Sequence, residues 1–211
     1  MTDRAIFPLH LGGSIRWWIH AFAEQQIVLD IGEYFRKQSY HNRMHILSAN
    51  GKLALSVPTA GGNFHKPLHT VEISYAHVWI PKFKQALQSA YGSSPYYTFY
   101  DYLLEPLLST EHQHLHEFSL SLTHWINTQL KARLNIESTS QYIETPVIKD
   151  HRNAFNAKQA TETGIPLNRY AQTFEYKFGF VPDLSILDLL FNLGPDACDY
   201  LQQHAGRLMH R

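Results

Sequence analysis

A chain of 211 residues with 44% hydrophobic and 13% aromatic side chains is long enough to bury a sizeable core. Its 18 basic and 18 acidic residues balance, which removes the electrostatic case for a nucleic-acid or anionic-membrane partner and leaves a small, locally charged ligand. The one cysteine, Cys198, excludes an intrachain disulfide framework and a cysteine-based zinc site, and no window approaches a membrane span, so a reducing, cytoplasmic location is expected.

In chain order, the run from Ala5 to Leu9 predicts a short strand. Pro8 and the Gly12-Gly13 pair interrupt the N-terminus before any stretch suits a signal peptide. Ser14 is placed to cap a helix in which Ile15, Trp18, Ile19 and Phe22 recur at helical spacing. Gln26 to Asp30 reads as a second strand, so the chain opens β-α-β, a unit that sets the loop from His10 to Ser14 at the carboxyl edge of a parallel sheet. The polar stretch Lys37-Gln38-Ser39-Tyr40-His41-Asn42-Arg43 lies between apolar segments and can reach the same edge. Met44 to Leu47 and Leu53 to Val57 predict two strands joined by a turn at Asn50-Gly51. Pro58 and Ala60-Gly61-Gly62-Asn63 mark a flexible stretch, and Thr70 to Ile73 predicts a further strand, for four or five in all.

Helical signals follow. Trp79, Phe83, Leu87 and Tyr91 form a stripe entered through Pro81 and stopped by Gly92. Ser94-Pro95 opens another helix, kinked or ended near Pro106. Thr110-x2-Gln113 reads as a capping box before Leu115, Phe118, Leu122, Ile126 and Leu130. Periodicity is lost from about 135 to 167, as in a lid or an irregular connection. Tyr170, Phe174 and Phe178 predict a helix closed by Gly179; Asp183 or Ser185 caps the next, and Gly194-Pro195 precedes a terminal helix with Cys198 and Leu201. The expected fold class is α/β: a small, mostly parallel sheet with a β-α-β start, flanked and followed by helices. One domain over 1–211 is expected, with the sheet core in 1–75, a helical part in 76–134, the irregular stretch in 135–168 and C-terminal helices in 169–211.

The candidate chemistry gathers near that sheet edge. His10, His41 and Glu33 are the available acid-base groups, because histidine titrates near neutrality and burial can raise a carboxylate toward it. Arg43 offers a bidentate grip on a phosphate or carboxylate, Lys37 a point charge and Asn42 a hydroxyl or amide contact; Asp30 and Tyr40 complete the candidate binding set. Structural roles compete: Asn42 can satisfy loop backbone groups, and Arg43 can pair with Asp30 or Glu33. Among 14 histidines, His112-x3-His116 stands one helical turn apart without a third ligand, so no metal site is assigned and no cofactor is specified. Asp183 and Asp188 read mainly as helix-capping residues.

These residues resemble the WbqC-like proteins, in particular the Bacteroidetes branch of that family. The carriers are Phe7-Pro8-Leu9 leading to Ile15-x-Trp17-Trp18, then Glu33-Tyr34-x2-Lys37-Gln38-Ser39-Tyr40-x-Asn42-Arg43, and Asn50-Gly51-x3-Leu55-x-Val57-Pro58. Trp79-x3-Phe83 and Ala90-Tyr91-x3-Pro95-Tyr96 follow. The most specific tract runs Tyr170-x3-Phe174-x3-Phe178-Gly179-Phe180-x-Pro182-Asp183-Leu184-Ser185-Ile186-Leu187-Asp188-Leu189-Leu190-Phe191-Asn192-x-Gly194-Pro195. The resemblance implies work on surface polysaccharides of the O-antigen or capsule type, with sugar acyl or aminoacyl transfer as the implied reaction and a sugar or nucleotide-sugar as the partner molecule. Many relatives begin His-Gln-Pro where this chain has Ile6-Phe7-Pro8, which shifts attention to His10.

A second resemblance is to the phosphate-binding loop of HIGH-motif nucleotidylyltransferases, carried by Ile6-Phe7-Pro8-Leu9-His10-Leu11-Gly12-Gly13 between a strand and a helix. Gly13 stands where that motif has its second histidine. A competing expectation is a non-catalytic partner inside a biosynthetic complex, with Tyr96, Tyr97 and Tyr100 as an aromatic interaction face.

Overall fold

A computed structural model describes residues 4–61, 65–144, 149–155 and 166–209. Expectations that fall on Met1–Asp3, on Gly62 and Asn63, and on parts of 135–168 lie outside these residues.

The β-α-β start is present. Strand β1 (Ala5–Pro8) is fully buried, as a parallel strand covered on both faces must be. Helix α1 (Ile15–Glu24) is capped by Ser14, whose side chain accepts from the Trp17 N–H. Strand β2 (Gln26–Asp30) then returns parallel to β1. The third strand of this sheet is β5 (Asn135–Thr139), parallel to β2 on its other side. A strand there departs from the irregular stretch expected over 135–168: its alternation is short and half-exposed, so edge pairing with β2 decides it where periodicity does not. Beyond β1, Ile6 forms an isolated parallel bridge with Asp150, donating to the Lys149 carbonyl at 2.8 Å and accepting from the His151 N–H at 2.7 Å.

Strands β3 (Arg43–Ser48) and β4 (Gly51–Ser56) form a separate antiparallel hairpin across the expected Asn50-Gly51 turn. The further strand expected at Thr70 to Ile73 is instead a 3-10 turn, Leu68–Thr70, followed by isolated bridges from Ile73 to Thr59 and Glu72 to His114.

Helix α2 spans Trp79–Tyr91 and ends at Gly92; α3 (Tyr97–Ser109) runs through Pro106 to its end. Helix α4 (Leu115–Gln129) has its capping box four residues later than expected, with His114 as N-cap in place of Thr110 and Glu117 reaching back to the His114 N–H at 3.0 Å. The helix expected around Tyr170 shrinks to the single turn α5 (Glu175–Phe178). Helices α6 (Ile186–Leu193) and α7 (Ala197–Met209) close the chain.

The core runs continuously from β1, α1 and β2 through Met44 and Ile46 of the hairpin to Leu187, Leu190 and Phe191 of α6. Tyr97 and Tyr100 belong to it, which withdraws them from the proposed aromatic face and leaves Phe99 and Tyr102 of α3 exposed. Among the described residues, no helix is long and apolar enough to cross a membrane.

Candidate functional site at the carboxyl edge of the sheet

All three parallel strands, and the bridge at Asp150, end on the same edge. His10 follows β1, Asp30 to Glu33 follow β2, Tyr142 follows β5, and Arg152 follows the bridge. The sheet order is β1-β2-β5, with the Asp150 bridge on the outer side of β1, and ligands of open α/β sheets bind at the carboxyl ends of the strands. A cleft of about 280 Å³ opens there, and Glu33, Tyr34, Arg36, Tyr142, Arg152 and Asn153 are among its walls.

Asp30 ties the edge together from within the chain. Its Oδ1 accepts from the N–H groups of Gly32 at 2.9 Å and Glu33 at 3.0 Å, and its Oδ2 takes Arg152 Nη1 at 2.7 Å. The rest of the Arg152 guanidinium grips Asp150, with Nη2 to Oδ2 at 2.7 Å, and lies 4.8 Å from the centre of the Tyr142 ring. Two carboxylates thus share one cation, Asp30 wholly buried and Asp150 exposed. Arg152 holds Asp150 below the usual carboxylate range, whereas burial pushes Asp30 up.

The backbone of Glu33 is fixed from both sides, its N–H by Asp30 and its carbonyl by the Leu68 N–H at 2.8 Å. Only 4% exposed, Glu33 has His41 Nε2 3.2 Å from its Oε1, yet no donor is aligned on that oxygen. His41 Nδ1 accepts from the Arg36 N–H at 3.1 Å, so its proton resides on Nε2, the nitrogen facing Glu33. Behind this pair stands His10, its ring centre 6.3 Å from that of His41 and 5.1 Å from that of Tyr40, while the Tyr40 carbonyl accepts from the Leu11 N–H at 2.8 Å. Burial first, then the neighbouring His41 and Arg36 charges, lower His10 well below the ordinary histidine value, so it is a neutral imidazole at physiological pH, with a buried, unpaired Nδ1. Burial also lifts the Tyr40 hydroxyl to about 12.

The structure therefore brings together Glu33, His41, His10 and Tyr40, with Asp30 beneath Glu33. The other predicted residues lead away. Asn42 spends its side chain on the Val57 carbonyl at 3.0 Å and its own carbonyl on the Val57 N–H, tying the loop to the end of the hairpin. Arg43 pairs with Ser56 in the ladder with its Nε buried, and the carboxylates expected to meet it are engaged by Arg152 and His41. Lys37 is exposed. Among the described residues, no hydrogen bond or ion pair joins Arg43 or Lys37 to the cluster.

At the α1 N-terminus, where a phosphate would sit in a HIGH-like enzyme, the protein supplies its own anion. The Arg16 N–H donates to Asp183 Oδ1 at 2.9 Å, and Ile15 N–H to the Leu184 carbonyl at 3.0 Å. Asp183 thus serves the α1 terminus, and of the two caps expected for α6, Asp183 or Ser185, it is Ser185 that caps it. Gly13 has φ +72, and a Cβ there would lie 2.9 Å from Trp18 Nε1, so the position excludes the motif's second histidine. Trp17 and Trp18 explain their own tract, donating from their indoles to the Pro8 carbonyl at 3.1 Å and the Gly12 carbonyl at 2.8 Å. His112 precedes α4, so it does not share a helix face with His116.

Sequence reasoning missed Arg152, Asp150, Tyr142 and Arg36. Arg152 lies in the stretch where periodicity fails; the available signal is Val147-Ile148 followed by Lys149-Asp150-His151-Arg152, an apolar pair running into charge as β2 does at Asp30.

The uncharacterized protein Rv1507c of Mycobacterium tuberculosis is 24% identical to the chain over 208 residues, covering 86% of this chain and 89% of its own length. No solved structure matches. The model of the WbqC-like protein family matches residues 19–164, which include β2, the Glu33–His41 pair, β5 and Arg152, and the chain belongs to that family.

Proposed function

We propose that the chain is an enzyme of surface-polysaccharide synthesis, a transferase that modifies a sugar or nucleotide-sugar intermediate in the cleft at the carboxyl edge of the sheet. The observation that carries this reading is the Glu33–His41 pair, held rigid and largely out of water at the wall of a cleft. In such a site a carboxylate beside an imidazole with its proton on Nε2 is equipped to accept a proton from an attacking hydroxyl or amine and pass it on. His10 and Tyr40 set the apolar back wall and keep the imidazole in place. Family membership supports the polysaccharide role, and the motif resemblance favours the Bacteroidetes branch.

Acyl or aminoacyl transfer fits better than nucleotidyl transfer, because Asp183 fills the helix terminus that would hold phosphate and neutral His10 brings no charge to one. The non-catalytic reading keeps Phe99 and Tyr102 as exposed aromatics, but a polar cleft with a buried acid-base pair favours the enzyme.

A thermal-shift screen against nucleotides, acyl-CoA and nucleotide sugars tests it. A ligand at a hundred times its Kd adds about 2.7 kcal/mol, which raises Tm by about 5–10 °C for a chain of this size. The expected result is stabilisation by one class that Glu33→Gln abolishes and Arg43→Ala leaves intact. Stabilisation lost in Arg43→Ala and kept in Glu33→Gln would overturn this site.

A further inference from the structure

One strand edge of this molecule is left open. The Val57 N–H donates to the Asn42 carbonyl at 2.9 Å just beyond the β3–β4 ladder, and this bond sets the ladder's phase. In steps of two from it, Met44 with Leu55, Ile46 with Leu53 and Ser48 with Gly51 exchange the hydrogen bonds of the hairpin. Arg43, His45 and Leu47 on β3, and Lys52, Ala54 and Ser56 on β4, therefore turn their backbone groups outward. On the β3 side that row is used, the His45 carbonyl accepting from the Ser185 N–H at 2.7 Å. On the β4 side, among the described residues, no hydrogen bond reaches the N–H or carbonyl of Lys52, Ala54 or Ser56, and all three residues are exposed.

The parallel sheet protects its edges. The outer side of β1 is covered by the bridge from Lys149 to His151, and β5, five residues long, carries Glu137 in an ion pair with Arg4. β4 runs six residues in unbroken register, with no proline and no bulge, and Lys52 is its one charge. Leu53, 38% exposed, shares a face of the strand with Gly51 and Leu55, and on that face Phe178, 39% exposed, lies 3.8 Å from where a Cβ on Gly51 would stand. An open edge flanked by exposed apolar side chains is a template for another strand.

The residues of β4 are complementary to themselves. In an antiparallel pair across a two-fold axis at Ala54, Ala54 faces the partner's Ala54 and Lys52 faces the partner's Ser56, so every outward residue exchanges both of its backbone bonds. A small side chain then lies at the axis, no like charges meet, and Leu53 packs against the partner's Leu55. Sliding the copies by two residues leaves Ser56 or Lys52 unpaired, and a further slide sets Lys52 against the partner's Lys52. A foreign peptide needs pockets for its alternate side chains, whereas a second copy is matched by symmetry alone. The pairing also extends a two-stranded hairpin, marginal by itself, to four strands.

We propose that β4 is a homodimer interface, joining the hairpins of two copies of this chain into one antiparallel sheet across a two-fold axis at Ala54. The proposal is independent of the ligand in the cleft.

Amide hydrogen exchange of the full chain at low and high protein concentration, with sedimentation in parallel, tests it. Raising the concentration is expected to take the sedimenting mass from one chain to two and to slow exchange at Lys52, Ala54 and Ser56 by about tenfold, while Leu53 and Leu55, bonded inside the hairpin, stay as they were. Ala54→Lys sets two ammoniums face to face at the axis and should weaken the dimer by about fivefold; unchanged protection at Leu53 and Leu55 shows that its hairpin is folded. Phe99→Ser, on the exposed side of α3, should leave the dimer intact. A single chain at every concentration overturns the proposal. So does a dimer that forms equally well in Ala54→Lys, one that dissolves in Phe99→Ser, or one in which the amides of Lys52, Ala54 and Ser56 exchange as fast as in the single chain.

Discussion

Two regions of this molecule bury carboxylates, and they use them in opposite ways. In the C-terminal part, Asp188 is wholly buried on α6, where its Oδ2 accepts from the Tyr170 hydroxyl and from Gln172 Nε2, with the Tyr91 hydroxyl beside it. Gln172 in turn holds both the N–H and the carbonyl of Val181 at 2.9 Å, so this network fastens the extended stretch before α6 onto the helix. Asp183 is equally committed, to the first turn of α1. At the sheet edge, Asp30 is saturated by the chain, while Glu33 beside it pairs with His41 Nε2 at 3.2 Å without an aligned hydrogen bond. Asp188 Oδ1 and Glu33 Oε1 both lack an aligned hydrogen bond, so position separates the two carboxylates: Asp188 is wholly enclosed by elements it ties together, whereas Glu33 borders a cleft.

The largest expected effect breaks the edge. Arg152→Ala leaves Asp30 buried without its cation and should cost about 3–5 kcal/mol in denaturant unfolding, with Arg152→Lys recovering only part because it loses the fork that spans two carboxylates. Next, Asp188→Ala strips partners from buried hydroxyl and amide groups and should cost about 1–3 kcal/mol for each group left unsatisfied, whereas Asp188→Asn keeps the shape.

The same residue gives a pH signature. Burial raises Asp188 above its unfolded value, so the folded state holds a proton the unfolded chain releases. That contribution is complete below the unfolded pKa and is lost as pH rises through the raised folded value. Urea midpoints of Asp188→Asn should therefore gain on the parent with rising pH; a constant difference would show that Asp188 titrates as an ordinary carboxylate. His10 works in the opposite sense. Its lowered folded pKa makes stability fall as pH drops below the ordinary histidine value of 6.5, and His10→Leu should flatten that slope.

Smaller still, Gly13→His should cost about 1–3 kcal/mol from its left-handed backbone and its contact with Trp18, and should bring no nucleotidyl transfer. Lys37→Ala, fully at the surface, should change stability by about 0.5 kcal/mol or less and leave ligand binding as it was.

The sequence carried the β-α-β opening, the hairpin and most helices because each has a local signature: Ser14 before a 3.6-residue stripe, Asn50-Gly51 between alternating runs, Gly92 after Tyr91. β5 and the Asp150 bridge escaped because an edge strand is decided by its partner more than by its own alternation. At the site, His10, Glu33, Tyr40 and His41 were legible as polar residues at the ends of buried strands. Arg43 and Asn42 attracted equal attention on residue type alone, and only the register of β3 against β4 reveals that they serve the hairpin. Arg152 was invisible because it reaches Asp30 from 122 residues away.

The measurement that bears most directly on the contrast is a map of where a sugar ligand touches the chain, by amide shifts of the isotope-labelled protein titrated with methyl glucoside. Shifts confined to the edge, at Gly32, Glu33, Tyr142 and Arg152, are the predicted result. Shifts centred on the junction of α1 and α6, at Gly13, Ser14, Leu184 and Ser185, with the sheet edge silent, would contradict it.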